Sequence, residues 1–184
     1  MAQTSIHIKP CKVSSSEVHN KREKELDYVI SSLSKNNEWW ELEKGKSLTS
    51  YVEETRQLVK TKTGRKMQAK AVPLHEAVVV INRNTTMEDL KRIAQRFKDR
   101  FGITTVQIAI HRDEGKDAKH LNLHAHMVFD WYNHETGKSI RTSKADTSEM
   151  QTICAEELEM ERGESSSKKH LDAQMYKAHA AAKE

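Results

Sequence analysis

The sequence predicts an α+β fold, a central antiparallel β-sheet covered by helices on one face. Three observations carry that expectation. Short β-branched or alternating runs at residues 3–9, "AVPLHEAVVVIN", "GITTVQIAIH" and "HLNLHAHMVFDWY" are interleaved with longer stretches of helical periodicity. The last two runs are separated only by the polar segment Arg112 to Lys119, which reads as a flexible loop between antiparallel neighbours. At 184 residues the chain buries one core, so residues 1–184 read as one domain with a helical C-terminal tail from about 164.

Residues 3–9 form the first candidate strand. In the following "SSSEVHNKREKELDYVISSL", Ser14 and Glu17 fit a capping box, and Val18, Leu26, Val29, Ile30 and Leu33 make an apolar stripe. The spacing predicts a helix from about Ser15 to Leu33. "NNEWWE" reads as a hydrophobic anchor that closes this helix onto the sheet. A second helix spans about Ser47 to Lys62 and stops at Gly64, inside a basic stretch of Lys60, Lys62, Arg65, Lys66 and Lys70 with no acid between them.

The β-branched run around Val78 then reads as a well-buried strand. Glu76 inside it is costly unless paired, and it either orients a histidine of the active site or faces solvent at the strand end. Thr85, Thr86, Glu88 and Asp89 start a helix whose apolar positions Leu90, Ile93, Ala94, Phe97 and Phe101 recur up to Gly102. In the next strand Val106, Ile108 and Ile110 share one face, with Gln107, Ala109 and His111 on the other. In its partner, Leu123, Ala125, Met127 and Phe129 share a face, opposite Asn122, His124, His126 and Val128. From about Asp146 the pattern is helical, interrupted by "RGESSSKK".

Composition sets the limits on function. A net charge of +4 allows nucleic acid as a partner without demanding it. No window is apolar for long enough to span a bilayer and "MAQTSIHIKP" lacks a signal-peptide core, so a soluble cytoplasmic protein is expected. Cys11 and Cys154 have neither metal-ligand spacing nor a disulfide-rich context and read as ordinary reduced thiols.

The chemistry concentrates in "HRDEGKDAKHLNLHAHMVFD", which holds four of the ten histidines. His124 and His126, two apart on a strand, project from one face about 7 Å apart and can converge on one ion. His111, near the end of the neighbouring strand, supplies a third imidazole, which leaves open positions on a divalent metal, as catalysis needs. Asp113 and Glu114 lie beside it. In "VHNKR", His19 and Arg22 are three apart on one helical face, and a neutral histidine can attack phosphorus while a guanidinium holds a phosphate oxygen.

In this combination the chain resembles the MobV (Mob/Pre) group of plasmid mobilization relaxases, of the HUH endonuclease class. His19, Asn20 and Arg22 match that group's His-Asn-x-Arg motif, and Asn36 and Asn37 echo an asparagine segment shortly after it. His111, Asp113 and Glu114, then His124 and His126, match a His-x-Asp-Glu element followed by His-x-His, with a longer separation in which His120 competes as third ligand. The resemblance implies metal-dependent, strand-specific nicking of single-stranded or supercoiled DNA at an origin of transfer, in a bacterial cytoplasm. It further implies a covalent link to the 5′ phosphate, Mn²⁺ or Mg²⁺ as cofactor, and a conjugation coupling protein as further partner.

On that reading His19 is the nucleophile, Arg22 and Glu114 assist it, and His111, His124 and His126 hold the metal. Asn20, Lys60, Lys62, Arg65 and Lys66 are the expected DNA contacts, with Trp39 and Trp40 the candidates for base stacking. Tyr28, nine residues beyond His19 on the same expected helix, is the rival nucleophile, as in a tyrosine-type rolling-circle replication initiator. A metal-dependent hydrolase of a small substrate would use the same three histidines, and a non-catalytic DNA-binding module would need none of them.

Overall fold

The computed structural model describes residues 1–164. Two short strands, β1 (Gln3–Thr4) and β2 (Ile6–Pro10), lead into helix α1 (Val13–Asn20), a 3-10 turn at Ser31–Asn36 and strand β3 (Glu38–Glu41). Helix α2 (Leu48–Thr63) precedes β4 (Leu74–Val80), and α3 (Met87–Phe101) precedes β5 (Thr104–His111). A small hairpin, β6 (Gly115–Asp117) with β7 (His120–Leu121), leads to β8 (His124–Asp130). A second hairpin, β9 (Tyr132–Asn133) with β10 (Lys138–Ser139), helix α4 (Lys144–Glu157) and β11 (Glu161–Arg162) follow.

The central sheet has the order β2-β4-β8-β5-β3 and is antiparallel throughout, so the expected α+β class holds. Its middle strand, β8, is buried along its whole length. On one face α3 and α4 bring Leu90, Ile93, Phe97, Met150 and Ile153 against Ile108, Ile110, Met127 and Phe129. Each such side chain contributes about 1.5–3 kcal/mol by leaving water. Local chemistry agrees with this packing. Thr86 and Asp89 close a capping box on α3, Gly102 ends the helix at φ 72°, and Ser143 with Asp146 repeats the box on α4. The other face is covered as well, and not left bare as expected, because α2 adds a smaller apolar cluster of Leu48, Tyr51, Leu74, Val106 and Val128 there.

Several expectations are corrected. The first helix does not run to Leu33; it stops at Asn20, and its Ser14–Glu17 box does not form because Lys12 is the N-cap. The physical cause is Arg22, at φ 57°, which turns the chain off the helix axis and toward Asp113 and Glu114. Tyr28 therefore does not share a helix with His19. The apolar residues beyond the break serve other contacts, Val29 bridging Glu114 and Ile30 donating its N–H to the Asp113 carbonyl.

"EWWE" is not an anchor but the edge strand β3, with Trp39 opposite Ala109 and Trp40 opposite Ile108. A bulge between Thr105 and Gln107 moves Val106 to the face opposite Ile108 and Ile110, where it meets Val128. The segment after His111 is not a flexible loop either, since Asp113 is buried and the β6–β7 hairpin follows at once. Cys11 and Cys154 are free and buried, and burial pushes their thiols up to about 11 and about 12, as suits inert reduced cysteines. Among the described residues no helix is long and apolar enough to cross a membrane. The expected helical tail from about 164 lies outside the described residues.

Candidate metal centre and nucleophile

Strand register brings the histidines together. In β8 the alternation puts His124 and His126 on one face, and β5 pairs His111 with His124 and Ala109 with His126. Helix α1 lies over this end of the sheet and adds His19. One ring nitrogen from each of His19, His111, His124 and His126 lies within 4.8 Å of the others, a grouping that can hold a metal ion.

The outward nitrogens decide the protonation. His111 Nε2 is 3.1 Å from the Asn20 carbonyl and His124 Nδ1 is 2.8 Å from the Asn122 carbonyl. A carbonyl only accepts, so both of these nitrogens must donate. His126 Nδ1 likewise donates to the Glu76 carboxylate at 3.1 Å. Burial alone would raise that carboxyl, but the hydrogen bonds from His126, Asn20 and Ser16 overrule it and hold it down at about 2.

With their hydrogens directed outward, the three buried rings aim lone pairs inward. His111 Nδ1 and His124 Nε2 then face each other at 3.3 Å with no hydrogen between them, and His126 Nε2 is buried without a partner among the described residues. A divalent cation satisfies all three at once, and the backbone carbonyls and Glu76 orient the rings for it. Burial is also the main reason that protonation does not substitute for a cation, with the charge of Arg22 adding to it at His111. It drives His111 down to about 2 and lowers His124.

His19 differs from the other three. Its side chain is 28% exposed, against 1% for His111, so a substrate can reach it. Its Nε2 lies 3.6 Å from Glu114 Oε1. Burial first, with the Arg22 charge beside it, holds it down at about 4 against the pull of Glu114. The ring is neutral near pH 7 and available as a nucleophile.

Arg22 does not stand free for a phosphate, because its fork is already engaged. Nε and Nη2 donate to Asp113 at 3.1 and 2.7 Å, and Nη2 also donates to Glu114 at 2.7 Å. Asp113 accepts further bonds from Ser34 and Asn37, each at 2.7 Å, so the guanidinium is a strut that positions Glu114 beside His19.

The other expected residues scatter. Asn20, expected at DNA, is buried, and its Nδ2 donates to Glu76 at 3.0 Å, so it supports the carboxylate that orients His126. His120 is exposed and pairs with Asp117 at 2.9 Å, outside the cluster. Glu76 takes the orienting alternative. Lys60, Lys62, Arg65 and Lys66 are exposed at the C-terminal end of α2 and just beyond it. The N-terminus of that helix meets α1, where Leu48 N donates to Glu17, so the basic residues begin about 20 Å away along the axis. Sequence reasoning missed Ser16 and Ser34. Ser16 had a signal, since it stands four before Asn20 on the buried side of α1, whereas Ser34 acts only through a long-range contact.

The family described as "Relaxase: MobA/VirD2-like, nuclease domain" matches residues 19–163. Among solved structures, the chain is similar to a manganese-bound crystal structure of the MobM relaxase domain (MOBV; Mob_Pre) with plasmid pMV158 oriT DNA carrying a 3′ thiophosphate. The TM-score is 0.73 at 17% identity, covering 97% of this chain and 99% of that one. A second manganese-bound MobM structure, with 22 nucleotides of the same DNA, gives 0.72 at 17% over 97% and 100%. A third, with 26 nucleotides, gives 0.59 at 15% over 95% and 99%. At these identities the likeness is one of fold. No curated protein matches the sequence.

Proposed function

The chain belongs to the MobA/VirD2-like relaxase nuclease family, and from that premise we propose that it nicks one strand of a plasmid or mobilizable-transposon transfer origin by transesterification. The observation that carries this reading is the set of three inward lone pairs beside a fourth, accessible imidazole. The His-Asn-x-Arg and His-x-His elements support a place in the MobV group.

His111, His124 and His126 hold one divalent ion, manganese or magnesium, which when bound supplies Lewis acidity at a non-bridging oxygen of the scissile phosphate. The neutral His19 ring attacks phosphorus in line. An N–P bond forms, the P–O3′ bond breaks, and the 3′ oxygen leaves with the electron pair and takes a proton from water. The imidazole becomes cationic as the bond forms, and Glu114, held by Arg22, balances that charge. The 5′ phosphate stays on the protein, and because the N–P link conserves bond energy the 3′ hydroxyl can reverse the step. Its partners are then transfer-origin DNA and a conjugation coupling protein, in the bacterial cytoplasm.

Tyr28 is a weaker nucleophile on physical grounds, since burial and the neighbouring Glu114 raise its hydroxyl pKa and keep it protonated. The test is nicking of a labelled oligonucleotide from the source element's own transfer origin, with Mn²⁺ or EDTA. We expect a protein-linked product that vanishes with EDTA, His19→Ala or His126→Ala and persists with Tyr28→Phe. Loss with Tyr28→Phe alone moves the nucleophile. Turnover of a small phosphoester without any DNA adduct favours the hydrolase reading.

A further inference from the structure

Behind the Arg22 strut lies a cleft of about 280 Å³ lined by Leu33, Asn36, Arg83, Arg112, Leu121 and Leu123. It belongs to the same sheet end as the histidines but to the opposite side. Arg112 follows His111 directly, and strand alternation sends the two side chains to opposite faces. The wall between cleft and strut is shared. Arg112 N donates to Asn37 Oδ1 at 2.8 Å, while Asn37 Nδ2 donates to the Asp113 carboxylate that grips Arg22.

Its chemistry is uneven. Arg112 is committed, with Nη1 on Glu38 at 2.9 Å and Nη2 on the Thr85 carbonyl at 2.6 Å. Arg83 is exposed and has no hydrogen bond or ion pair among the described residues. Among the described residues no acid lines the cleft, so Arg83 contributes an uncompensated positive charge beside three leucines. Apolar walls with one free guanidinium match a splayed-out base and its phosphate, a unit that single strands offer and duplexes do not.

Resting on the relaxase reading, we infer that this cleft receives one unpaired nucleotide flanking the scissile phosphate. The leucines cover the base and Arg83 meets the backbone phosphate. Arg112 fixes the floor. A nucleotide seated there draws the strand over the end of β5, so the scissile phosphate is held from a point that the metal ligands do not supply.

The experiment places a single abasic nucleotide at each of the positions within three of the nick, in turn, and measures binding and single-turnover nicking by wild type, Arg83→Gln and Leu121→Ala. The expected result is one position where loss of the base weakens wild-type binding by about tenfold, as burial of roughly 55 Å² of apolar base surface implies, with that penalty absent in Leu121→Ala. Arg83→Gln weakens every oligonucleotide alike and lowers the salt slope by about 0.7. Equal abasic penalties in wild type and Leu121→Ala, or wild-type salt dependence in Arg83→Gln, overturn the inference while wild-type nicking leaves the relaxase reading standing. If wild type neither binds nor nicks the intact oligonucleotide, the relaxase reading falls and takes the cleft with it.

Discussion

Along β8, Ala125, Met127 and Phe129 face the apolar core, while His124 and His126, one position out of step, face α1. Both sets are buried, yet they are held in different ways. The core side chains are kept by many weak contacts with α3 and α4, so any one of them is replaceable by a residue of similar volume. The imidazoles are kept by one acceptor each, the Asn122 carbonyl and Glu76, and each acceptor fixes where a lone pair points. From His124 to Met127 one face therefore stores stability and the other direction, before Val128 returns the histidine face to apolar packing against α2.

The largest effect that can break this division comes from a pair of alanine variants. His19→Ala is expected to abolish nicking, a loss of at least about 10³-fold, with thermal stability within about 0.5 kcal/mol of wild type, because the ring is partly exposed and outside the core. Met127→Ala is expected to do the reverse, costing about 2–5 kcal/mol of stability while the folded fraction nicks at an ordinary rate. Thermal melts and single-turnover rates on both proteins decide it. If His19→Ala melts as early as Met127→Ala, the two faces are not separable.

A pH profile tests direction at smaller scale. In the proposed mechanism the reactive form of His19 is the neutral one, and its pKa of about 4 lies below the 6.5 of a free imidazole. A bound cation would lower that value further, so the nicking rate at saturating metal should be flat from about pH 6 upward. A midpoint near 6.5 would mean that α1 does not seat His19 against the other rings. A rate still climbing above pH 9 would point to Tyr28, whose hydroxyl is shifted up. Smaller again is Arg22→Lys, which keeps the charge but loses the fork that joins Asp113 to Glu114. It should slow nicking by about 10- to 100-fold without shifting metal affinity, since no candidate ligand hydrogen-bonds to Arg22 through its ring.

The same contrast explains what the sequence could reveal. α2, α3 and their glycine caps, the β4 run and the alternation in β8 are local patterns, and they appear where periodicity puts them. The break after Asn20 is not local. Nothing in "HNKREKEL" outweighs a helical reading until Asp113 and Glu114, about ninety residues on, draw Arg22 into a left-handed conformation. Val106 is misplaced for a related reason, because alternation assumes a regular ladder and the bulge after Thr105 is fixed only by pairing with β8. Of the site, the histidines were legible through spacing. The second partners that set their lone pairs were not, apart from Glu76, because backbone carbonyls leave no trace in residue identity.

The smallest expected effect separates the two ends of α2. Its N-terminus touches α1 through Glu17, whereas Lys60 and Lys62 sit near its far end, with Arg65 and Lys66 beyond. That separation, about 20 Å, is twice the Debye length of about 10 Å at 0.1 M salt. Charge there can gather DNA phosphates but cannot tune His19. Replacing Lys62 and Lys66 by alanine should therefore weaken oligonucleotide binding by a few-fold and reduce the salt slope by about 0.7 for each phosphate that is no longer neutralised. The pH midpoint for nicking should stay where it is. A midpoint that moves with these substitutions would mean the basic end folds back toward the histidines when DNA is bound, and that the two ends of α2 act on one site.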